Sequence, residues 1–231
     1  MKKHIDLVIG AGEIGKSLFA VLNNKYDVVI KDTEDLELDK KVNVMHICFP
    51  YTSDFVKEVR RYKKIYKPKY IIIHSTVPVG TSKKCKAYFS PVRGIHPHLE
   101  KSLKTFVKYL APRNEYLSSY FEEVGIKIEE TDKTETLEAM KLYCTTIYAL
   151  NVIAEKEMWD YCKKHDLDYN IAYTECNRTY NQGYDALGFP QYKKYILSHK
   201  EGKIGGHCLI PNCMLLKTDI AKFILKQNNK L

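Results

Sequence analysis

The chain has 231 residues, 45% of them hydrophobic, and carries 37 basic against 28 acidic side chains for a formal net charge of +9. The apolar content is ample for one large or two small packed domains, and no apolar run reaches the ~20 residues that span a bilayer, which argues against a membrane protein. The excess positive charge does not read as a nucleic-acid footprint: only five basic residues are Arg (60, 61, 93, 113 and 178), and the lysines are spread along the whole chain.

In chain order, His4–Ile9 reads as a buried parallel strand, followed directly by Gly10-Ala11-Gly12-Glu13-Ile14-Gly15 and a helical stretch to Leu22. This is a G-x-G-x-x-G loop between strand and helix. The first Gly makes the turn, the second lets backbone approach a pyrophosphate, and the third allows close helix–strand packing. The helix N-terminus offers backbone N–H groups to the phosphates. The next strand, Asp27–Lys31, ends at Asp32, where a carboxylate can accept both ribose hydroxyls and would repel a 2′-phosphate, so NAD is expected rather than NADP. Lys31 beside it is the one local feature that pulls the other way.

A third strand is expected over Val42–Phe49, ending at Pro50, then a helix over Ser53–Tyr62 and a strongly apolar fourth strand, Tyr70–His74. Ser75-Thr76-Val77-Pro78 follows at the carboxyl end of that strand, where doubly wound folds place ligands. Short strands are expected at 86–90, 105–110 and 126–130. Alternating strands and helices of this kind build a parallel sheet covered on both faces. The expected fold is therefore α/β, a doubly wound parallel Rossmann sheet over residues 1–130, followed by a smaller all-helical domain over 131–231.

That second domain opens with Asp132 and Glu135 at capping-box spacing and an apolar stripe, Leu137, Met140, Cys144, Ile147, Asn151, Ala154, Met158 and Cys162. Its spacing predicts a spine helix to about His165, with Cys144 and Cys162 in the core. Aromatic residues off the stripe, Tyr143, Tyr148 and Trp159, predict a homodimer face. Shorter helices are expected beyond Tyr169, with loops at 181–183 and 202–212. Seven cysteines without a C-x-x-C pair predict a reduced, cytoplasmic setting, and the first strand's position just after Met1 predicts no signal peptide. No four-ligand metal spacing is present.

The loop Ile204-Gly205-Gly206-His207-Cys208 delivers a cysteine from a tight turn. Such a thiol becomes a nucleophile where positive charge favours its thiolate; otherwise it is a core cysteine behind a Gly-Gly turn. His96, in His96-Pro97-His98, is a candidate general base because imidazole titrates near neutral pH.

Together, the Gly10–Gly15 loop, Ser75-Thr76-Val77-Pro78-Val79-Gly80-Thr81, Ser90-Pro91-Val92-Arg93, Lys141 with Asn151 and Glu157, and Gly205-Gly206-His207-Cys208 resemble the nucleotide-sugar dehydrogenases, the UDP-glucose and UDP-N-acetylmannosamine dehydrogenase family. The resemblance implies an NAD-dependent oxidation of an alcohol, and then of the aldehyde held on Cys208 as a thiohemiacetal. Lys141 would stabilise the oxyanion, Thr76 would help hold the catalytic water, and Glu13, Ile14, Pro50 and Ser75 would line the cofactor. Arg93, Asn151, Gly205, Gly206 and His207 would meet a small-molecule substrate such as a sugar nucleotide or other polar alcohol. It also implies a homodimer and a third, nucleotide-binding domain that would begin where this chain stops. Three positions depart from the family pattern. Val92 replaces an acidic residue, Thr145 replaces Asn, and Asn212, at the position of a catalytic Asp, cannot act as a base. The alternatives are a single-step dehydrogenase of the β-hydroxyacid type with Lys141 as acid/base, or a dinucleotide-binding protein without catalysis.

Overall fold

The computed structural model describes residues 4–34, 36–95 and 97–231. Two compact units divide the chain, residues 1–142 and 143–231. The expected boundary at 130/131 precedes the spine helix. The observed one falls inside it, because Leu137 and Met140 pack against the core of the sheet.

In the first unit, five parallel strands follow the order β2-β1-β3-β4-β5, with β1 at His4–Ile9, β2 at Val28–Lys31, β3 at Lys41–Ile47, β4 at Tyr70–Ile73 and β5 at Tyr88–Phe89. The chain passes from β1 outward to β2 and then returns to β3 on the other side of β1. That reversal is the switch point at which open α/β sheets bind ligands. A separate parallel pair, β6 (Lys108–Leu110) and β7 (Ile128–Glu130), completes the strands.

Strand side chains alternate between faces, and both faces are covered. Ile5, Leu7, Ile9, Met45, Ile47, Ile71 and Ile73 pack on one face with Phe55, Val59 and Tyr62 of α2 (Phe55–Tyr66). Val8, Val44, Cys48 and Ile72 face the other way, against α1 (Glu13–Leu22). After the short α3 (Thr81–Cys85), α4 (Leu99–Thr105) and α5 (Glu115–Glu122) join this second layer through Leu99, Leu103, Leu117, Tyr120 and Phe121. This is the doubly wound Rossmann-like arrangement. Asn114 starts α5 by accepting the Leu117 N–H at 3.0 Å, the usual N-cap bond.

Helix α6 runs Thr134–Lys164, about 46 Å at 1.5 Å per residue. Asp132 does not cap it; its carboxylate accepts from Arg113 Nε at 2.7 Å. The predicted core stripe is also displaced. Cys144 is exposed, Ile147 is 51% and Met158 38% accessible, whereas Leu142, Thr146, Ala149, Ile153 and Lys156 are buried at the same 3.6-residue period. Only Leu137 and Cys162 of the expected stripe are fully buried. Cys144, Ile147, Met158 and Tyr161 instead leave apolar surface on the outside of the helix.

The second unit continues from α6 with a π-helical segment at Asn170–Glu175, α7 (Cys176–Ala186), α8 (Leu209–Leu216) and α9 (Asp219–Asn228). Its core is Ala149, Ile153, Cys213, Ala221 and Ile224. The loop expected at 181–183 is helical. Asn181, a residue that otherwise competes for its own backbone, spends its amide on Lys194, accepting that N–H at 2.8 Å and donating to that carbonyl at 3.0 Å. The loop expected to reach 212 ends at Cys208, because Pro211 lies in the first turn of α8, where a missing N–H costs nothing. Trp159, expected on a dimer face, stacks on His199 at 4.1 Å within its own unit. No helix among the described residues is long and apolar enough to cross a membrane.

Candidate functional site

Because all five strands of the first sheet are parallel, the residues that follow them emerge along one edge: Gly10 after β1, Asp32 after β2, Pro50 after β3 and Ser75 after β4. The glycines are required there for different reasons. Gly10 has φ +103°, and a Cβ on it would lie 2.7 Å from the Phe49 nitrogen. A Cβ on Gly15 would lie 1.8 Å from the Gly10 carbonyl oxygen, so α1 approaches the end of β1 at backbone distance. Gly12 borders open space, with nothing within 4 Å of a Cβ, and as N-cap of α1 it offers no side chain to the first-turn N–H groups. Those groups and the space in front of them fit a pyrophosphate. Glu13 in the same turn is exposed, whereas Ile14 packs against the core.

Asp32 is exposed, and its Oδ1 accepts the Ala11 N–H at 3.2 Å, which ties the end of β2 to the glycine loop. The Lys31 side chain is buried, and its ammonium donates to the Asp32 and Glu34 carbonyls. Ser75 is a tie as well: its hydroxyl donates to the Phe49 carbonyl at 2.6 Å, joining the ends of β3 and β4. Thr76 beside it is half-buried and Pro50 is exposed.

Lys141, on α6, donates to the Val92 carbonyl at 2.9 Å. Val92 itself is a core residue, so the side chain at this departure from the family pattern packs rather than faces a ligand. Arg93 donates to the Val107 carbonyl at 2.6 Å and lies over the Tyr109 ring, with its Nε buried and unpartnered among the described residues. Much of its guanidinium is thus spent within the protein. Glu138, missed in the sequence, accepts the Gly80 and Ser82 N–H groups at 2.5 and 2.8 Å. Burial pushes this carboxyl up from its ordinary value, and the two backbone N–H groups pull it back. His96 lies outside the described residues.

In the second unit, Cys208 is exposed and forms the N-cap of α8. Gly205, Gly206 and His207 are exposed ahead of it, and Gly206 has φ +83°. Asn212 is buried and donates its amide to the Thr145 hydroxyl at 2.9 Å. Two of the three departures from the family pattern are therefore partners. Asn151 donates to the Ile147 carbonyl of its own helix at 2.9 Å. The candidates thus fall in two groups, the strand-end residues around the glycine loop in the first unit and the Gly205–Cys208 turn in the second; Lys141 lies in the first unit, bonded to the Val92 carbonyl. Among the described residues, no group of three or more His, Cys, Asp or Glu side chains could hold a metal ion.

The structure also contains a row of buried polar side chains that was not singled out in the sequence. Asp6, His46 and His74 lie on the face of β1, β3 and β4 covered by α5. His46 Nδ1 is 3.0 Å from His74 Nε2, and His46 Nε2 is 3.1 Å from the Tyr120 hydroxyl, which lies 3.0 Å from Asp6 Oδ2. At the other end, His74 Nδ1 is 2.7 Å from the Ser90 carbonyl and 3.2 Å from Lys108 Nζ. Lys108 also donates to the Ser90 and Pro91 carbonyls at 2.7 and 3.2 Å. Burial holds His46 down to about 3 and Lys108 down to about 7, with nearby cations adding to both shifts, and pushes Asp6 up. The available signal was strand parity, since each polar residue occupies the same face as Val8, Val44 or Ile72.

No family model matches the chain, and no curated protein matches it by sequence. Solved structures do share the fold. A UDP-glucose dehydrogenase from the hyperthermophilic archaeon Pyrobaculum islandicum superposes with a TM-score of 0.71 at 14% identity, over 100% of this chain and 68% of that one. The Mycobacterium tuberculosis 3-hydroxyisobutyrate dehydrogenase, solved with L-serine, gives 0.66 at 14% identity, over 100% of this chain and 94% of that one. An NDP-N-acetyl-D-galactosaminuronic acid dehydrogenase from Methanosarcina mazei Go1 gives 0.66 at 14%, over 98% of this chain and 66% of that one.

His46 and Lys108 in the buried row each make stability rise with pH, while the raised Asp6 carboxyl opposes His46 in the acid range. The folded chain binds fewer protons than the unfolded chain wherever a base has been pushed down. Stability should therefore rise with pH from about 3 to 6.5 through His46 and from about 7 to 10.5 through Lys108. Replacing Lys108 with Met should remove the upper rise, on the order of a few kcal/mol, as read by urea unfolding at pH 7 and pH 10.

Proposed function

We propose that the chain is an NAD-dependent oxidoreductase that oxidises the alcohol carbon of a small polar substrate. The observation that carries this reading is the glycine loop: Gly10 and Gly15 are closed to any side chain, and Gly12 alone faces open space at the head of α1. Bound there, the dinucleotide would supply the hydride acceptor. Asp32, exposed at the end of β2 and bonded to the Ala11 N–H, would accept the adenosine ribose hydroxyls. The commitment of Lys31 to backbone carbonyls leaves that carboxylate as the local charge and favours NAD over NADP.

Lys141 would hold the proton side of the reaction, stabilising a developing alkoxide or taking its proton. Thr76 and Ser75 lie at the carboxyl end of β4, beside the glycine edge. Cys208 would be the nucleophile of a second oxidation, on the strength of its exposed position at the head of α8 behind a glycine turn. One observation favours a second reading, the β-hydroxyacid type with a single hydride transfer and no covalent step. Asn212 is neutral, buried and bonded to Thr145, so it supplies no base next to Cys208.

The chain would work as a homodimer. Ile147, Met158, Tyr143 and Tyr161 on α6 are exposed apolar side chains, a surface that soluble proteins usually cover, and a second copy of the same helix is the occupant proposed here.

The cofactor assignment is checked by calorimetric titration: Asp32→Ala should weaken NAD by tenfold or more, roughly the worth of 1.4 kcal/mol, and leave NADP nearly unchanged. Equal losses for both would reject the role of Asp32. With a substrate found by screening alcohols and nucleotide sugars for NADH formation, Cys208→Ser should retain the first hydride transfer and abolish the second, read as NADH formed per substrate; unchanged stoichiometry would select the single-step reading. The dimer is tested by light scattering at micromolar concentration. Wild type should show twice the chain mass and Ile147→Glu the chain mass, and a monomeric wild type would refute it.

A further inference from the structure

The buried row in the first unit is a continuous line of groups that can both give and receive a proton, and its ends are an acid and a base. Asp6 Oδ1 accepts the Val44 N–H at 3.0 Å, which leaves Oδ2 to face Tyr120. Tyr26 stacks on Tyr120 at 4.3 Å and Phe121 lies edge-on to both imidazoles, so the line is closed by rings. His46 and His74 are fully buried, and Asp6 and Lys108 nearly so.

We propose that Asp6, Tyr120, His46, His74 and Lys108 form a proton relay that passes a proton between the Asp6 carboxyl and the Lys108 amine. Each spacing admits one hydrogen, so the directions of successive bonds are linked. In one arrangement the Asp6 acid donates to Tyr120, Tyr120 to His46 Nε2, His46 Nδ1–H to His74 Nε2, and His74 Nδ1–H points at the Ser90 carbonyl and the Lys108 lone pair. In the other, every hydrogen has moved one step along. The Asp6 O–H is broken, a new N–H is formed on Lys108, and each intermediate group has given one proton and received one, with no electron transferred. Carboxylic acid and amine become carboxylate and ammonium, while both imidazoles stay neutral throughout.

At the Lys108 end the contact of 2.7 Å between His74 Nδ1 and the Ser90 carbonyl oxygen selects the first arrangement as the resting one, since two lone pairs would repel at that distance; the bond that Tyr120 donates to Asp6 Oδ2 at 3.0 Å when Asp6 is a carboxylate belongs to the second, and in the first it is reversed, with the Asp6 acid as donor. The directions of the titration shifts agree with it, because burial disfavours the charged forms of Asp6 and Lys108 alike. Other charged or titratable groups act on the ends: Cys48, Arg93 and Lys141 on Lys108, and Asp27 on Asp6. The consequence falls on the Ser90-Pro91-Val92 segment. As an ammonium, Lys108 would hold the Ser90 and Pro91 carbonyls by charge-assisted bonds, next to the Val92 carbonyl held by Lys141. The relay therefore sets how firmly that segment is gripped.

The test uses the intact chain and does not depend on any activity. Long-range ¹⁵N–¹H spectra of the wild type at neutral pH should show His46 and His74 neutral and in the same tautomer, Nδ1–H for both in the resting arrangement. Unlike tautomers, or a cationic ring, would overturn the relay without any substitution. In Asp6→Asn, the amide faces Tyr120 and can only donate. Both rings should then stay Nδ1–H, and the Lys108 titration, followed at its ε-carbon, should fall by about one unit, the scale of coupled groups. In a Tyr120→Phe background the same Asp6→Asn change should leave Lys108 unmoved. A shift that persists there would be through-space electrostatics and would refute the relay.

Discussion

A methyl group on Gly15 would sit 1.8 Å from the Gly10 carbonyl oxygen, and one on Gly10 would sit 2.7 Å from the Phe49 nitrogen. Both obstacles are backbone, so no rotamer change could relieve them. This close approach draws the head of α1 onto the ends of β1 and β3, at the point where the strand order reverses. The other candidate residues of the first unit inherit their positions from it. Asp32 reaches the loop because β2 runs parallel to β1 and ends level with it. Ser75 reaches the end of β3 because β4 extends the same ladder, which continues through the His74 N–H to the Ile47 carbonyl at 2.9 Å.

What was legible in the sequence was what depends on local pattern. The glycine spacing, the apolar strand runs and the distal Asp32 are each written in a few adjacent residues, and the strands appear within one to three residues of their expected ends. The spine helix was legible in length, because 3.6-residue periodicity survives over many turns, but not in orientation. Leu142, Ala149 and Ile153 compete with Met140, Cys144 and Ile147 as an apolar face, and only tertiary packing decides between two stripes on one helix. The helical state of residues 181–183 depended on Lys194, thirteen residues away, which no local rule contains. The buried polar row was visible only by parity. Asp6, His46 and His74 interrupt otherwise apolar strands on one face, and Lys108 and Tyr120 join them from elements far along the chain.

That row is expensive. Unpaired, each of its groups would lose several kcal/mol of hydration in the interior, and a half-satisfied network is worse than an apolar core. Neutrality resolves the cost. Two imidazoles, a phenol, an acid and an amine can satisfy one another in line without any member carrying charge. The remaining hydrogens of Lys108 are taken by carbonyls, and Phe121 supplies an aromatic face at 5.6 Å. Reversing the line needs no bond other than those to protons, but it places a carboxylate and an ammonium at the two ends, which burial opposes.

Thr145 and Asn212 show why departures from a family pattern should not be read one at a time. Taken singly, each replaces a polar group of the resembled family with one that has weaker proton chemistry. Together they form a neutral hydrogen bond of 2.9 Å between α6 and the first turn of α8, inside the second unit. A carboxylate at position 212 would sit at 5% exposure, where burial opposes ionisation, and it would require the Thr145 hydroxyl to reverse from acceptor to donor. The pair is therefore a neutral packing contact. Chemistry at Cys208 that needs a base to activate water would have to find it elsewhere, whereas a single hydride transfer supported by Lys141 asks nothing of position 212.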